Sequence, residues 1–242
     1  VSVVELSEAF GLSQATIRAD LETLSSQGLL LRTHGGAIAA GRSELELSFD
    51  VRRRLHVEAK ERIGAAAAAL VHDGEAILLD ASTTSLAIAT RLKTRRELTV
   101  ITNSLAVANE LVDAHSVTVL MPGGFLRRDT LSLVGPQPAD PSAGRYDAIL
   151  KDFNVQTAFV GAKGLSFEKG LTDVNSLEVA TKRELVRLAH RLIAVVDGSK
   201  WGQVSFVSFA SLDQVHMVIT DSSAPADMVA VLRERNIDVI VV

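Results

Sequence analysis

The sequence contains no cysteine. This excludes disulfide bridges, thiolate metal sites and cysteine nucleophiles, and it fits a reducing cytoplasm, the compartment expected for this chain. Aromatic residues are scarce, at 4%, although 47% of the residues are apolar. Val, Ile, Leu and Ala must therefore fill the core, as in α/β proteins whose buried parallel strands read as short aliphatic runs. No apolar run approaches the roughly 18 residues of a membrane span, and the opening residues lack the layout of a signal peptide. There is no basic excess either. The net charge of −4 counts against nucleic-acid binding by bulk electrostatics. His34, His56, His72, His115, His190 and His216 show no H-x-x-x-H spacing. Neither G-x-x-x-x-G-K-[ST] nor G-x-G-x-x-G stands at a strand–helix junction, so no metal and no cofactor is expected.

A chain of 242 residues accommodates a small domain and a medium one. Residues 2–10 carry Val4, Leu6, Ala9 and Phe10 at mixed 3–4 spacing, which predicts a short helix broken by Gly11. Ser13 is a suitable N-cap for a second helix through about Gln27, with Ile17, Leu21 and Leu24 on one stripe and Gly28 as its stop. Two short apolar stretches, Leu29–Leu31 and Ala37–Ala40, flank Arg32-Thr33-His34-Gly35-Gly36, the pattern of a hairpin with a glycine-rich tip. Residues 41–56 are polar and charged and read as a linker, with Arg52-Arg53-Arg54 a solvated helix face, a set of ion-pair partners or a phosphate contact. From Val57 the pattern alternates. Helices near 57–71, 84–93, 104–113, 174–190 and 225–235 are interleaved with strands near 75–80, 98–102, 116–121, 155–160, 191–197 and 215–220, and a last strand at 237–242. Repeated βα alternation predicts an α/β domain over 57–242, a mostly parallel sheet flanked by helices.

Helix–turn–helix–hairpin over 1–40 is the layout of a winged helix-turn-helix, whose second helix presents its N-terminal residues to base edges. Ser13, Gln14, Ala15, Thr16 and Arg18 lie at that end. Gln pairs with adenine, Arg with guanine or phosphate, and Ser or Thr with either. Arg32, His34 and Gly35 form a wing tip that can approach the backbone of DNA. Charge does not favour this reading, because Arg18 and Arg32 face Glu5, Glu8, Asp20 and Glu22, a formal charge of −2. An ordinary helical hairpin capped by Ser13, with Arg18 paired to Glu22, explains the periodicity equally well.

The strings SQATIRADL and GLLLRTHGGAI resemble the helix-turn-helix of the DeoR family of bacterial sugar-metabolism repressors. That family's pattern is Ser-x-x-Thr-Ile-Arg-x-Asp-Leu followed by Gly-Leu-(Leu/Ile)-x-Arg-x-His-Gly-Gly-Ala. It is matched here by Ser13, Thr16, Ile17, Arg18, Asp20, Leu21, Gly28, Leu29, Arg32, His34, Gly35, Gly36 and Ala37. The resemblance implies a DNA-binding transcriptional repressor with a double-stranded operator as partner. It also implies a further helix ahead of residue 1, so that the head is incomplete at its N-terminus. The C-terminal half resembles the DeoR sensor domain, which implies a fold like that of ribose-5-phosphate isomerase and a phosphorylated sugar or related metabolite as effector.

Several loops at the carboxyl ends of the predicted strands suit such a ligand, since open α/β sheets bind ligands there. Strand 75–80 ends at Asp80, followed by Ser82, Thr83 and Thr84 at a helix N-terminus, whose hydroxyls and amides make a phosphate cradle. The family usually has glycine where this chain has Ser82. A capped helix end without ligand is the plainer reading. Asn103, after the second strand, can cap a helix or contact ligand. Gly123 and Gly124 allow close backbone approach beside Arg127, whose guanidinium offers a phosphate fork. Gly161 and Lys163 follow the strand at 155–160, and Lys200 follows the one at 191–197. Glu178 and Lys182 stand at i, i+4, the spacing of a surface pair, while the resemblance places both near the pocket. Two half-sites on DNA imply at least a dimer, a homodimer or homotetramer. Two other readings remain: a sugar-phosphate isomerase using Asp80 and Glu178, and a ligand-binding module without a DNA role.

Overall fold

Ser2 starts the first helix, α1 (Val3–Phe10), through a reciprocal capping box. Its hydroxyl accepts from the Glu5 N–H at 3.1 Å, and the Glu5 carboxylate accepts from the Ser2 N–H at 2.6 Å. Gly11 ends α1 at φ 63°, the left-handed conformation that suits glycine. Ser13 caps α2 (Gln14–Ser26), accepting from the Thr16 N–H at 3.1 Å. Two antiparallel strands follow, β1 (Leu30–Thr33) and β2 (Gly36–Ala39). Val3, Ile17, Leu21 and Ala37 form the small core, with Leu6 and Leu30 packed on it. Leu24, the expected third member of the α2 stripe, is 36% exposed, so that stripe is one turn shorter than its periodicity suggests.

The computed structural model describes residues 1–26, 30–33, 35–39, 47–135 and 154–242. The predicted stop at Gly28, His34 at the wing tip, Ala40 and the first part of the linker lie outside the described residues. The chain divides into two compact units, Val1–Leu55 and His56–Val242. The linker expectation needs correction at its second half, where Phe49–Arg54 form α3. Leu47 and Phe49 are buried there, at 8% and 2% exposure, and apolar burial orders a segment that composition alone marks as polar. Arg52 lies over the Phe49 ring at 5.6 Å and donates to the Leu47 carbonyl at 3.2 Å. Of the arginine block, at least Arg52 thus has an intramolecular role.

The larger unit runs α4 (Val57–Ala69), β3 (Ala76–Leu79), α5 (Thr83–Leu92), β4 (Leu98–Thr102), α6 (Leu105–Leu111) and β5 (Val117–Leu120). After it come β6 (Phe125–Arg127), β7 (Ser132–Val134), β8 (Val155–Val160), β9 (Gly164–Ser166), β10 (Gly170–Asp173) and α7 (Ser176–Val186). The unit ends with β11 (Ala189–Val195), β12 (Val207–Ala210), β13 (Met217–Thr220), α8 (Ala226–Glu234) and β14 (Asp238–Val241). Seven strands form one sheet in the order β14-β13-β11-β8-β3-β4-β5, with every pairing parallel. Ile77, Leu78, Leu79 and Phe159 on the central strands are fully buried, as expected for strands covered on both faces. Gly64 and the alanines of α4 serve close packing as well as helix propensity. A Cβ at Gly64 would come within 2.8 Å of the Ala87 backbone on α5.

From β3 the chain moves outward through β4 and β5, then returns to β8 on the other side of β3 and moves outward again. The switch point therefore lies between β3 and β8, and right-handed crossovers put the helices of the two halves on opposite faces. Two features were not anticipated from the sequence: the β6–β7 ribbon and the antiparallel sheet β12-β10-β9. Their strands are three or four residues long, too short to show a period. Among the described residues, no helix is long and apolar enough to cross a membrane.

Candidate functional site

Asp80 and Gly161 are the first residues beyond β3 and β8, on either side of the switch point. Asp80 is fully buried, and both of its oxygens are engaged. Oδ1 accepts from the Ser82 N–H at 3.1 Å and the Ser85 hydroxyl at 2.7 Å. Oδ2 accepts from the Gly161 N–H at 3.0 Å and lies 3.0 Å from Lys182 Nζ. Ser82 caps α5 by accepting from the Ser85 N–H at 3.0 Å, and Thr83 and Thr84 are buried in its first turn. The Asp80–Thr84 loop is thus a capped helix N-terminus tied down by an aspartate.

Lys182 reaches this loop from α7. Its ammonium donates to the Gly161 carbonyl at 2.9 Å and to Asp173 Oδ2 at 2.7 Å, and it lies 4.9 Å above the Phe209 ring. Burial pulls the Lys182 pKa down, but Asp173, Asp80 and Glu178 outweigh that and hold it above its ordinary value. Burial pushes the Asp173 carboxyl up, but the charge and hydrogen bond of Lys182, with help from the Val174 N–H and Lys163, leave it below the usual carboxylate value. Glu178 and Lys182 are not a surface pair, since both are less than a tenth exposed. Glu178 Oε1 accepts from the Ser132 hydroxyl at 2.9 Å and lies 3.8 Å from Arg127 Nη1.

Asn103 stands one residue past the paired positions Leu79 and Thr102, next to Asp80 in register. It does not cap α6. Ser104 does, accepting from the Val107 N–H at 3.2 Å. Asn103 instead grips β7, its side-chain Nδ2 donating to the Leu133 carbonyl at 3.2 Å and its backbone carbonyl accepting from the Leu133 N–H at 2.7 Å. Gly123 and Gly124 have φ of 82° and 132°, and a Cβ at Gly124 would meet the Val134 carbonyl at 2.7 Å, so these glycines shape the entry to the β6–β7 ribbon. Lys163 donates its backbone N–H to the Thr172 carbonyl. Lys200 sits half buried in the turn Gly198–Lys200 after β11, one strand further out along the same edge.

The structure thus draws Asp80, Ser82, Asn103, Arg127, Gly161, Glu178 and Lys182 to one edge and adds three residues missed in the sequence: Ser85, Ser132 and Asp173. Ser132 and Asp173 lie on short strands with no periodic signal. Only their distant partners mark them. The opposite edge of the sheet carries an open groove of about 1030 Å³ lined in part by Arg183, Arg191, Arg235 and His216, with none of the predicted residues. Among the described residues, no group of three His, Asp or Glu side chains is placed to hold a metal ion.

Gly161 allows the two loops at the switch point to meet. A Cβ there would lie 2.5 Å from the Ser82 Cβ and 2.8 Å from its Oγ. Gly161→Ala is therefore expected to lower stability by about 1–3 kcal/mol through overpacking. Urea unfolding checks this, and an unchanged midpoint would show that the loops part at no cost.

On the smaller unit, Ser13, Gln14, Ala15, Thr16 and Arg18 are all exposed at the start of α2. The Ser13 and Thr16 hydroxyls lie 2.8 Å apart, and Arg18 donates to the Gln14 side chain at 3.1 Å. Arg18 does not pair with Glu22. That carboxylate lies 3.6 Å from Arg32, which also donates to the Gly36 carbonyl at 3.3 Å. Gly35 is exposed at the wing turn, and its carbonyl accepts from the Val3 N–H at 2.7 Å.

Residues 1–42 match the family model of a DeoR-like helix-turn-helix domain, and residues 55–222 match that of a DeoR C-terminal sensor domain. The chain is 32% identical to the glycerol-3-phosphate regulon repressor of Escherichia coli over 98% of its own length and 90% of the relative's. It is 35% identical to the HTH-type transcriptional repressor GlcR of Bacillus subtilis over 87% of this chain and 78% of the relative. Among solved structures, ribose 5-phosphate isomerase A from Methanocaldococcus jannaschii is similar at a TM-score of 0.42 and 17% identity, covering 60% of this chain and 54% of that one.

Proposed function

Given that the chain belongs to the DeoR family of HTH-type transcriptional regulators, we propose that it represses a carbohydrate-metabolism operon under the control of a phosphorylated sugar or related metabolite. The observation that carries the reading is the joining, in one chain, of an exposed helix start bearing Ser13, Gln14, Thr16 and Arg18 to a sheet edge with a built, charged switch point. The relatives' names support it, one of them a repressor of a glycerol-3-phosphate regulon. Residues 1–40 then read the operator, and residues 57–242 take the effector at the edge containing Asp80, Asn103, Arg127 and Gly161. A palindromic operator requires at least two copies of the head, so the regulator works as a homo-oligomer.

An isomerase fits the site poorly. A general base must be able to take a proton from substrate, whereas both oxygens of Asp80 are held by four donors. The relatives are regulators and repressors rather than isomerases.

The test is DNA binding by the full-length regulator to the region upstream of its own operon, with and without sugar phosphates, over a range of salt. Sequence-selective binding altered by one of these ligands is expected, and its absence in every ligand state would sink the proposal. In the same assay, Arg18→Ala is expected to weaken operator binding about tenfold or more and to relax specificity at one base pair, the effect of losing a contact of about 1–3 kcal/mol. An equal loss on unrelated DNA would make Arg18 a phosphate contact instead.

A further inference from the structure

We infer that Arg127 reads the anionic group of the ligand at this edge and Asn103 one of its hydroxyls, and that Lys182 touches neither. This rests on the effector reading above and specifies what that site recognises. Nη1 of Arg127 and Oδ1 of Asn103 are both buried without a hydrogen-bond partner. Their needs are opposite. A guanidinium N–H calls for an acceptor, best an anionic oxygen, and an amide oxygen calls for a donor.

Each atom is fixed by its surroundings. Asn103 is 3% exposed, and its Nδ2 is committed to the Leu133 carbonyl, so the unpaired atom is the oxygen. Arg127 Nη1 is 3.8 Å from Glu178 Oε1, close enough for attraction but beyond hydrogen-bond length. That carboxylate oxygen already accepts from Ser132. Both readers bear on the same ribbon, because Arg127 ends β6 and Asn103 grips β7 at Leu133. A ligand that engages both therefore ties the ribbon to the end of β4. Lys182 is in the contrary state. Its three ammonium hydrogens face three oxygens, of Asp173, Asp80 and the Gly161 carbonyl, at 2.7, 3.0 and 2.9 Å. It is a positioning residue that fixes Asp80 and Gly161.

The experiment is calorimetric titration of the full-length protein with glycerol 3-phosphate, ribose 5-phosphate and glucose 6-phosphate. The one that binds is then compared with an alkyl phosphate of the same chain length and no hydroxyl. The wild type is expected to prefer the hydroxylated ligand at least tenfold. Arg127→Met weakens both ligands at least tenfold, and Arg127→Lys recovers part of the loss. Asn103→Ala brings the hydroxylated ligand and the alkyl phosphate within about twofold of each other, and Asn103→Leu, near in volume and without an acceptor, gives the same reading should the alanine variant not fold. A preference that survives at Asn103, a wild type that shows none, or unaltered binding in Arg127→Met overturns the inference and leaves the regulator reading standing. A wild type that binds none of these phosphates overturns the effector reading itself, and the inference with it.

Discussion

Lys182→Met is expected to lower the folding stability of the larger unit by about 3–5 kcal/mol, the cost of breaking a buried ion pair by removing one partner. The substitution keeps most of the side-chain volume and removes the charge and the ammonium donors. Asp80 and Asp173, at 0% and 3% exposure, are then left as neighbouring buried carboxylates without their cation. The Gly161 carbonyl loses its donor as well. For a domain of this size the melting temperature should fall on the order of 10 °C. Asp173→Asn in the same background should recover part of the loss, because it removes one of the two uncompensated charges. A melting temperature within a degree or two of wild type would show that the pair contributes nothing.

The same triad sets a pH dependence. The Asp173 pKa is depressed in the folded state, so its contribution is present above the ordinary value of 3.8 and is lost as pH falls through the folded value. The Lys182 pKa is raised, so its contribution is present below the ordinary value of 10.5 and is lost only as pH rises through the higher folded value. Between those limits the wild type holds the full contribution. In Lys182→Met the sign at Asp173 reverses, because a buried carboxylate without its cation favours the proton. The stability gap between wild type and variant should therefore narrow as pH falls towards 4. Denaturant unfolding at a series of pH values measures this, and a gap that stays constant with pH would remove Asp173 from the account.

Leu21→Ala is expected to abolish DNA binding while leaving the larger unit intact. Leu21 is 5% exposed and, among the described residues, shares a small core with Val3, Ile17 and Ala37. A buried leucine truncated to alanine costs about 2–5 kcal/mol. A unit of 55 residues buries too little surface to absorb such a loss. The start of α2, with its Ser13 cap and the exposed Gln14, Thr16 and Arg18, loses its platform, although none of those residues is changed. Operator binding should vanish, whereas melting of the larger unit and its response to phosphorylated ligands should match wild type. Wild-type DNA affinity in this variant would show that DNA binding does not depend on the small core.

How much could be read in advance differs between the two units. In the head, the controlling interactions are local. Ser13 meets Thr16 three residues on, Gly11 takes the positive φ, and Thr33 pairs with Gly36 three residues on, so sequence order nearly gives spatial order. In the larger unit, the main strands announced themselves as aliphatic runs, since a strand buried on both faces has little other composition open to it. The ribbon and the antiparallel sheet did not, because strands of three or four residues are specified by what they pair with.

At the sheet edge, Asp80, Asn103, Gly161, Glu178 and Lys182 could each be nominated from the sequence, because turn residues, hydroxyls and charges after a strand are local signals. Their roles could not. Asp80 and Gly161 are 81 residues apart, and Ser132 and Glu178 are 46 apart. The i, i+4 spacing of Glu178 and Lys182 suggested a solvent-exposed pair, yet the fold buries both and gives each a different partner. Sequence by itself determined the main helices and parallel strands, their order, the head's boundaries at Gly11 and Ser13 and the DeoR pattern, since these depend on neighbours along the chain. Which charges neutralise one another, and which polar atoms remain for a ligand, was decided only when the parallel sheet brought remote loops to one edge, where burial makes every unpaired group costly.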